Sequence, residues 1–171
     1  MARIALQQIS SKQAEFNELS GLRIPKRQEF LFKYLTQAEQ AKIRSIYGDK
    51  SVNLWGAKYA QSAAWANMVD NQTLVLFRKQ QDVVMRGVTV FKVINEELAL
   101  ALWGRDTTDG ETWPLIYFLT KLQKISLKSK EVNECLGYSP NYNWQGFNAV
   151  RTQKANDCIT LLLDKLKERR L

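Results

Sequence analysis

Leu98–Leu122, LALALWGRDTTDGETWPLIYFLTKL, is the stretch on which the reading of the fold turns. Its opening residues predict a helix over 96–102. Asn95 stands ready to cap that helix, and Glu96 and Glu97 lie in its first turn, where the helix dipole favours negative charge. Trp103 stands where the helix gives way to a polar loop holding Arg105, Asp106, Asp109 and Gly110. Trp113-Pro114 then introduces a dense apolar strand, Leu115–Leu122. An indole at such a boundary sits at a surface edge, where its π face is available to a ligand.

Working outward, Val52–Ala57 reads as a short strand ending in a second Trp-Gly pair, Trp55-Gly56. Lys58–Met68 suits a helical turn or ordered loop, with Trp65 and Met68 spaced for one inward face. Asp70-Asn71 is a turn signal. Thr73–Phe77 is a buried strand, and Lys79–Asp82 makes a polar hairpin connection. Val83–Ile94 is a longer strand whose internal Gly87 predicts a bulge or a close backbone approach.

Towards the N-terminus, 26–47 has helical spacing, and Thr36 with Glu39 predicts a capping box for a helix starting at Gln37 and stopping at Gly48. Residues 1–20 are expected to form a short helix or a loosely held arm, with apolar positions at Ile4, Leu6, Ile9, Phe16 and Leu19; Gly21 and Pro25 then break the pattern. Towards the C-terminus come a helix closed by Gly137, the turn-rich loop 139–146 with Tyr142 and Trp144, and a short strand at Phe147–Val150. A helix follows over 152–171, with an apolar stripe from Ala155 to Leu166. Its end, KLKERRL, reads as a boundary or linker to a further domain. The expected division is a helical segment over 1–48, a sheet core over 49–151 and the C-terminal helix.

The 171 residues suit one domain, and 45% hydrophobic with 25% charged residues is ordinary globular composition. No apolar run is long enough to span a bilayer, and the N-terminus lacks the apolar segment of a signal peptide, so a cytoplasmic location is expected. With 0 histidines, His-based acid–base catalysis and Ser-His or Cys-His dyads are excluded, and 2 cysteines do not make the usual zinc site. Cys135 and Cys158 read as small buried apolar residues rather than as a disulfide. There is no P-loop or dinucleotide fingerprint, and no cofactor is expected. The net charge of +8 favours a polyanionic partner and disfavours a Lys-rich peptide tail. Lys121, Lys124, Lys128 and Lys130, with Lys58 and Arg105, are the candidate phosphate contacts, against the alternative of a solvated basic edge.

The two Trp-Gly pairs suggest that Trp55 and Trp103 face each other across a pocket for one flat, unstacked base; the alternative is that both indoles fill the core. The strand ending in Trp55-Gly56, the pair TLVLF and VVMRGVTVF, the segment LALALWG and the strand WPLIYFLTKL together resemble the PUA-like superfamily, nearest its EVE and YTH branches. They are similar in particular to the N-terminal specificity domains of McrBC-type, modification-dependent restriction systems. The resemblance covers roughly residues 50–150. It implies an α+β fold in which a small curved or barrel-like mixed β-sheet is flanked by helices. It also implies a pocket where aromatic side chains sandwich a modified base flipped out of a nucleic acid. Trp55 and Trp103 match the positions of the cage tryptophans, Trp113 would form a third wall or pack beneath, and Asn53, Gly56 and Ala57 would bond the base edge, with Tyr59 beside them.

The expected activity is therefore non-catalytic recognition of DNA carrying a modified base, with AAA+ GTPase or nuclease domains or subunits as further partners and no membrane. An RNA-binding reader of methylated adenine and a protein-interaction scaffold are the alternatives. The long helical N-terminal segment and the C-terminal helix depart from the family pattern, and the resemblance leaves the modified base open.

Overall fold

The computed structural model describes residues 2–9, 28–50 and 52–168. Six strands form one mixed sheet: β1 (Ala2–Ile9), β2 (Asn53–Ala57), β3 (Leu74–Lys79), β4 (Asp82–Ile94), β5 (Leu115–Lys128) and β6 (Phe147–Arg151), in the order β2-β5-β4-β3-β1-β6. Only β1 and β3 pair in parallel; the other neighbours are antiparallel. Among the described residues the helices are α1 (Gln28–Phe32), α2 (Gln37–Tyr47), α3 (Ser62–Asn67), α4 (Glu96–Trp103), α5 (Ser129–Cys135) and α6 (Thr152–Glu168), with a 3₁₀ turn at Tyr59–Gln61. This is the α+β architecture expected, a curved, half-barrel mixed sheet flanked by helices.

Side-chain alternation along the strands divides the core into three parts. On one face Ile116 and Phe118 of β5 meet Leu54, Val90, Leu98 and Trp103, together with Leu31 of α1 and Ile43 of α2. Further along that face Ile4, Leu6, Leu74 and Leu76 pack under α5 and α6. On the opposite face Trp55, Phe77, Tyr117, Leu119 and Phe147 form a third cluster. Trp55 lies on β2 and Phe147 on β6, the two ends of the strand order, yet both belong to that cluster. Only a sheet bent round on itself brings such strands together. The register of β4 on β5 shifts between Val83 and Met85, between Arg86 and Val88, and between Thr89 and Phe91. The second shift falls at Gly87, opposite Lys121, whose φ of 51° is left-handed, and bulges of this kind bend the strands that carry them.

The capping signals behave as expected. Thr36 and Glu39 form the capping box of α2, and the Asn95 side chain accepts the Leu98 N–H at the start of α4. Tyr47 fastens α2 to the sheet by donating its hydroxyl to the carbonyls of Leu119 (2.8 Å) and Asn53 (3.2 Å).

Three expectations are corrected. The opening residues form β1 rather than a helix or arm, and β1 pairs inside the sheet that was expected to begin only after residue 48. Ile4 and Leu6 are buried on one face of it and Ala5 on the other, as a strand between two neighbours requires. Phe16, Leu19, Gly21 and Pro25 lie outside the described residues. Strand β5 runs to Lys128, beyond the expected stop at Leu122, because the bulge lets it resume pairing with β4. Cys135 and Cys158 are joined in a disulfide, with their Cα atoms 5.4 Å apart, linking α5 to α6 across the core they share.

Candidate nucleic-acid interface

The end of β2 is where the expected base-binding residues converge in sequence, and the strand's alternation decides where they point. Trp55 enters the concave cluster and meets Phe77 edge to face at 5.9 Å. Gly56 is next along the strand, so its Cβ direction points the other way, straight at the Trp103 indole. A Cβ there would stand 2.5 Å from Trp103 Cζ3 and 2.6 Å from the Trp113 carbonyl oxygen. Trp55 and Trp103 are thus on opposite sides of the sheet, each only 6% exposed. The facing pair with open space between is not formed. The close approach that Gly56 was expected to allow a ligand is taken by Trp103 itself. Ala57 is buried as well.

What remains accessible at this end is Trp113, half-buried and edge to face with Trp103 at 6.5 Å, and Tyr59, which is 51% exposed. Between them in sequence reach stands Lys58, with its ammonium 5.4 Å from the centre of the Trp113 ring. That ammonium donates to Asp106 Oδ2 and Asp109 Oδ2, both at 2.6 Å. Burial works against the Lys58 charge, but the two carboxylates outweigh it and raise the pKa overall. Lys58 in turn holds both aspartates below their ordinary range. The loop 104–112 is closed further from within: the Thr108 N–H bonds Asp106, the Glu111 N–H bonds Asp109, and Arg105 donates to the Gly110 carbonyl. Lys58 and Arg105, expected as phosphate contacts, are therefore already engaged with this loop. Two polar atoms at this end, Trp103 Nε1 and Thr112 Oγ1, are buried without a hydrogen-bond partner among the described residues, as is Asn53 Oδ1 at the other end of β2. Such orphans call for an explanation, a ligand group among them.

The other expected cations behave differently. Lys121, Lys124, Lys128 and Lys130 are all exposed, along the second half of β5 and the start of α5. Arg86 braces this stretch from β4 through two hydrogen bonds to Gln123 Oε1, at 3.0 and 2.8 Å. Lys128 bonds Asp82 on the neighbouring strand at 2.6 Å, and both side chains remain open to solvent.

Sequence reasoning passed over two features. One is Arg78, next to Lys79 at the end of β3, which gives no signal until the fold sets it beside Lys128. The other is Asn133, a polar residue that follows Val132 on the buried side of α5, which the helical pattern could have flagged. Asn133 Oδ1 accepts the indole N–H of Trp144 at 2.7 Å, and its amide donates to the carbonyls of Pro140 and Tyr142, each at 3.0 Å. One buried amide thereby fixes the whole loop 139–144. Among the described residues no three His, Cys, Asp or Glu side chains gather to hold a metal, and no helix is long and apolar enough to cross a membrane.

No protein-family model and no curated protein matches the chain. Among solved structures it is similar to the N-terminal domain of Thermococcus gammatolerans McrB bound to m5C DNA, with a TM-score of 0.70 at 17% identity, over 96% of this chain and 99% of that one. Nearly the whole of the two chains shares one fold.

Proposed function

We propose that this chain is a non-catalytic DNA-binding module that recognises a modified base, serving as the specificity domain of a modification-dependent restriction system whose motor and nuclease activities lie in other domains or subunits. The observation that carries the reading is the likeness, over almost its full length, to a domain solved on m5C DNA. The row of exposed lysines on β5 supports it, since phosphate contacts of this kind supply affinity without reading sequence.

In this reading the base is received at the end of β2. Trp113 and Tyr59 provide the accessible aromatic surface. Trp55, Trp103 and Ala57 support it from within, Gly56 lets the layers close, and the orphaned polar atoms of Trp103 and Thr112 are available to a base edge. Extruding a base costs a few kcal/mol. Stacking on an aromatic face returns about 1–3 kcal/mol, so edge hydrogen bonds must supply the rest.

The test compares duplexes carrying 5-methylcytosine, 5-hydroxymethylcytosine or N6-methyladenine with plain duplex and with methylated single-stranded RNA. The 5-methylcytosine duplex comes first because the similar domain was solved with it. Trp113→Ala and Tyr59→Ala should each weaken binding of the preferred modified duplex by about 5- to 150-fold and leave the plain duplex almost unaffected. Equal losses on both duplexes would remove these rings from the pocket.

A second measurement addresses the lysines. Removing the charge of both Lys124 and Lys128 by substitution with Gln should flatten the log–log dependence of affinity on salt by about 0.9 for each lost phosphate contact. An unchanged slope would put the nucleic acid on another face.

A further inference from the structure

At the opposite end of β5 from Trp113 a cleft of about 380 Å³ opens between the β3–β4 turn, the start of α5 and the loop 139–142. Arg78, Gln81, Lys128, Lys130, Asn141 and Tyr142 line it. Strand β5 runs from Leu115 to Lys128, a contour of about 40 Å at 3.3 Å per residue, so the cleft is distinct from the base site proposed above.

Its cations are held ready for an anion. Arg78 is fixed by neutral groups: it donates to the Gln80 carbonyl and to Asn143 Oδ1, and its guanidinium lies 5.7 Å from the centre of the buried Trp144 ring. No carboxylate pairs with Arg78 or Lys130 among the described residues. Lys128 does pair with Asp82, but their side chains are 59% and 44% exposed, and so open a pair holds weakly against a competing phosphate. The nearby Glu131 is engaged elsewhere, by the Lys128 N–H and by Lys165. Beside these charges Tyr142 is 38% exposed, with its ring 4.6 Å from that of Tyr138. The Asn133 amide holds the Tyr142 backbone in place. A fixed guanidinium, two ammonium groups and a backed aromatic ring around a cavity of this size match a nucleotide: its phosphate takes the charges and its base takes the ring.

We propose that this cleft binds a nucleotide unit, with phosphate against Arg78, Lys128 and Lys130 and base against Tyr142. The unit comes either from a free mononucleotide or from a nucleic-acid strand running on from the β5 lysines. The proposal does not need the modified-base reading, and it survives if no modified duplex is preferred.

The experiment is an amide-resolved NMR titration of the whole chain with deoxyadenosine monophosphate, deoxyadenosine, inorganic phosphate and a short single-stranded oligonucleotide. The monophosphate should shift Lys130, Asn141 and Tyr142. Deoxyadenosine and phosphate should each bind at least about tenfold more weakly, because each lacks one of the two contacts. The surface variants Lys130→Gln and Tyr142→Ala should each weaken the monophosphate. Displacement of the monophosphate by the oligonucleotide identifies a strand as the source; failure to displace it assigns the site to free nucleotide. Equal affinity for phosphate and monophosphate, or monophosphate binding unchanged in both variants, overturns the proposal.

Discussion

Gly56→Ala should destabilise the fold by about 3 kcal/mol or more, at the upper end of what overpacking does. The added methyl would come within 2.5–2.8 Å of the Trp103 ring and 2.6 Å of the Trp113 carbonyl oxygen. A flexible side chain could swing aside, but these neighbours cannot. Trp103 is wedged among Leu54, Val90 and Leu98, and the Trp113 carbonyl belongs to the backbone leading into β5. Relief therefore means separating β2 from the α4 end, and with it the surface formed by Trp113 and Tyr59. Urea unfolding followed by tryptophan fluorescence measures the loss. Repeating the substitution in a Trp103→Ala background separates its causes: the penalty should shrink there, since the ring is gone, but not vanish, since the carbonyl remains. A midpoint unchanged from the parent would contradict the packing of Trp103 on Gly56.

Asn133→Ala should produce a loss of similar size, about 3 kcal/mol, by a different mechanism. Asn133 is 1% exposed, and its amide satisfies three polar groups at once. Truncation leaves the N–H of the fully buried Trp144 without its acceptor, and the carbonyls of Pro140 and Tyr142 without their donor. The loop 139–144 should then lose its fixed position while the sheet remains. Hydrogen exchange of the Trp144 indole N–H, together with the thermal midpoint, reports both effects. Fast exchange with the midpoint preserved would mean that the hydrogen bond orders the loop without stabilising the fold; slow exchange in the variant would show that Trp144 is held by packing alone. Because Tyr142 lines the basic cleft, the same substitution should weaken any ligand bound there.

Local rules account for most of what could be read ahead of the structure. A capping box needs only Thr36 and Glu39 three residues apart, and an internal Gly87 in a strand needs only its neighbours to mark a bulge. These signals act over a few residues and are complete within them. Strand β1 escaped this logic because Ile4, Ala5 and Leu6 are buried on both faces, which erases the alternation that marks a half-buried strand. The disulfide escaped it too: Cys135 and Cys158 carry no sign of pairing until α5 and α6 pack on a common core.

The pair Trp55 and Trp103 marks the boundary most clearly. The sequence by itself determined that both are large, that each adjoins a glycine, that the chain is basic, and that the elements follow in the order of a curved mixed sheet. It even held the alternation that turns Trp55 and the Cβ direction of Gly56 to opposite faces. Only the tertiary structure decided what lay on each face: Phe77 and its neighbours for Trp55, the glycine's bare backbone for Trp103. The same holds for Arg78, Lys128 and Tyr142, which stand on β3, on β5 and in a loop and meet at one cleft through the antiparallel β4 connection. Periodicity is a property of neighbours along the chain, whereas burial and the joining of a site depend on where distant segments come to rest.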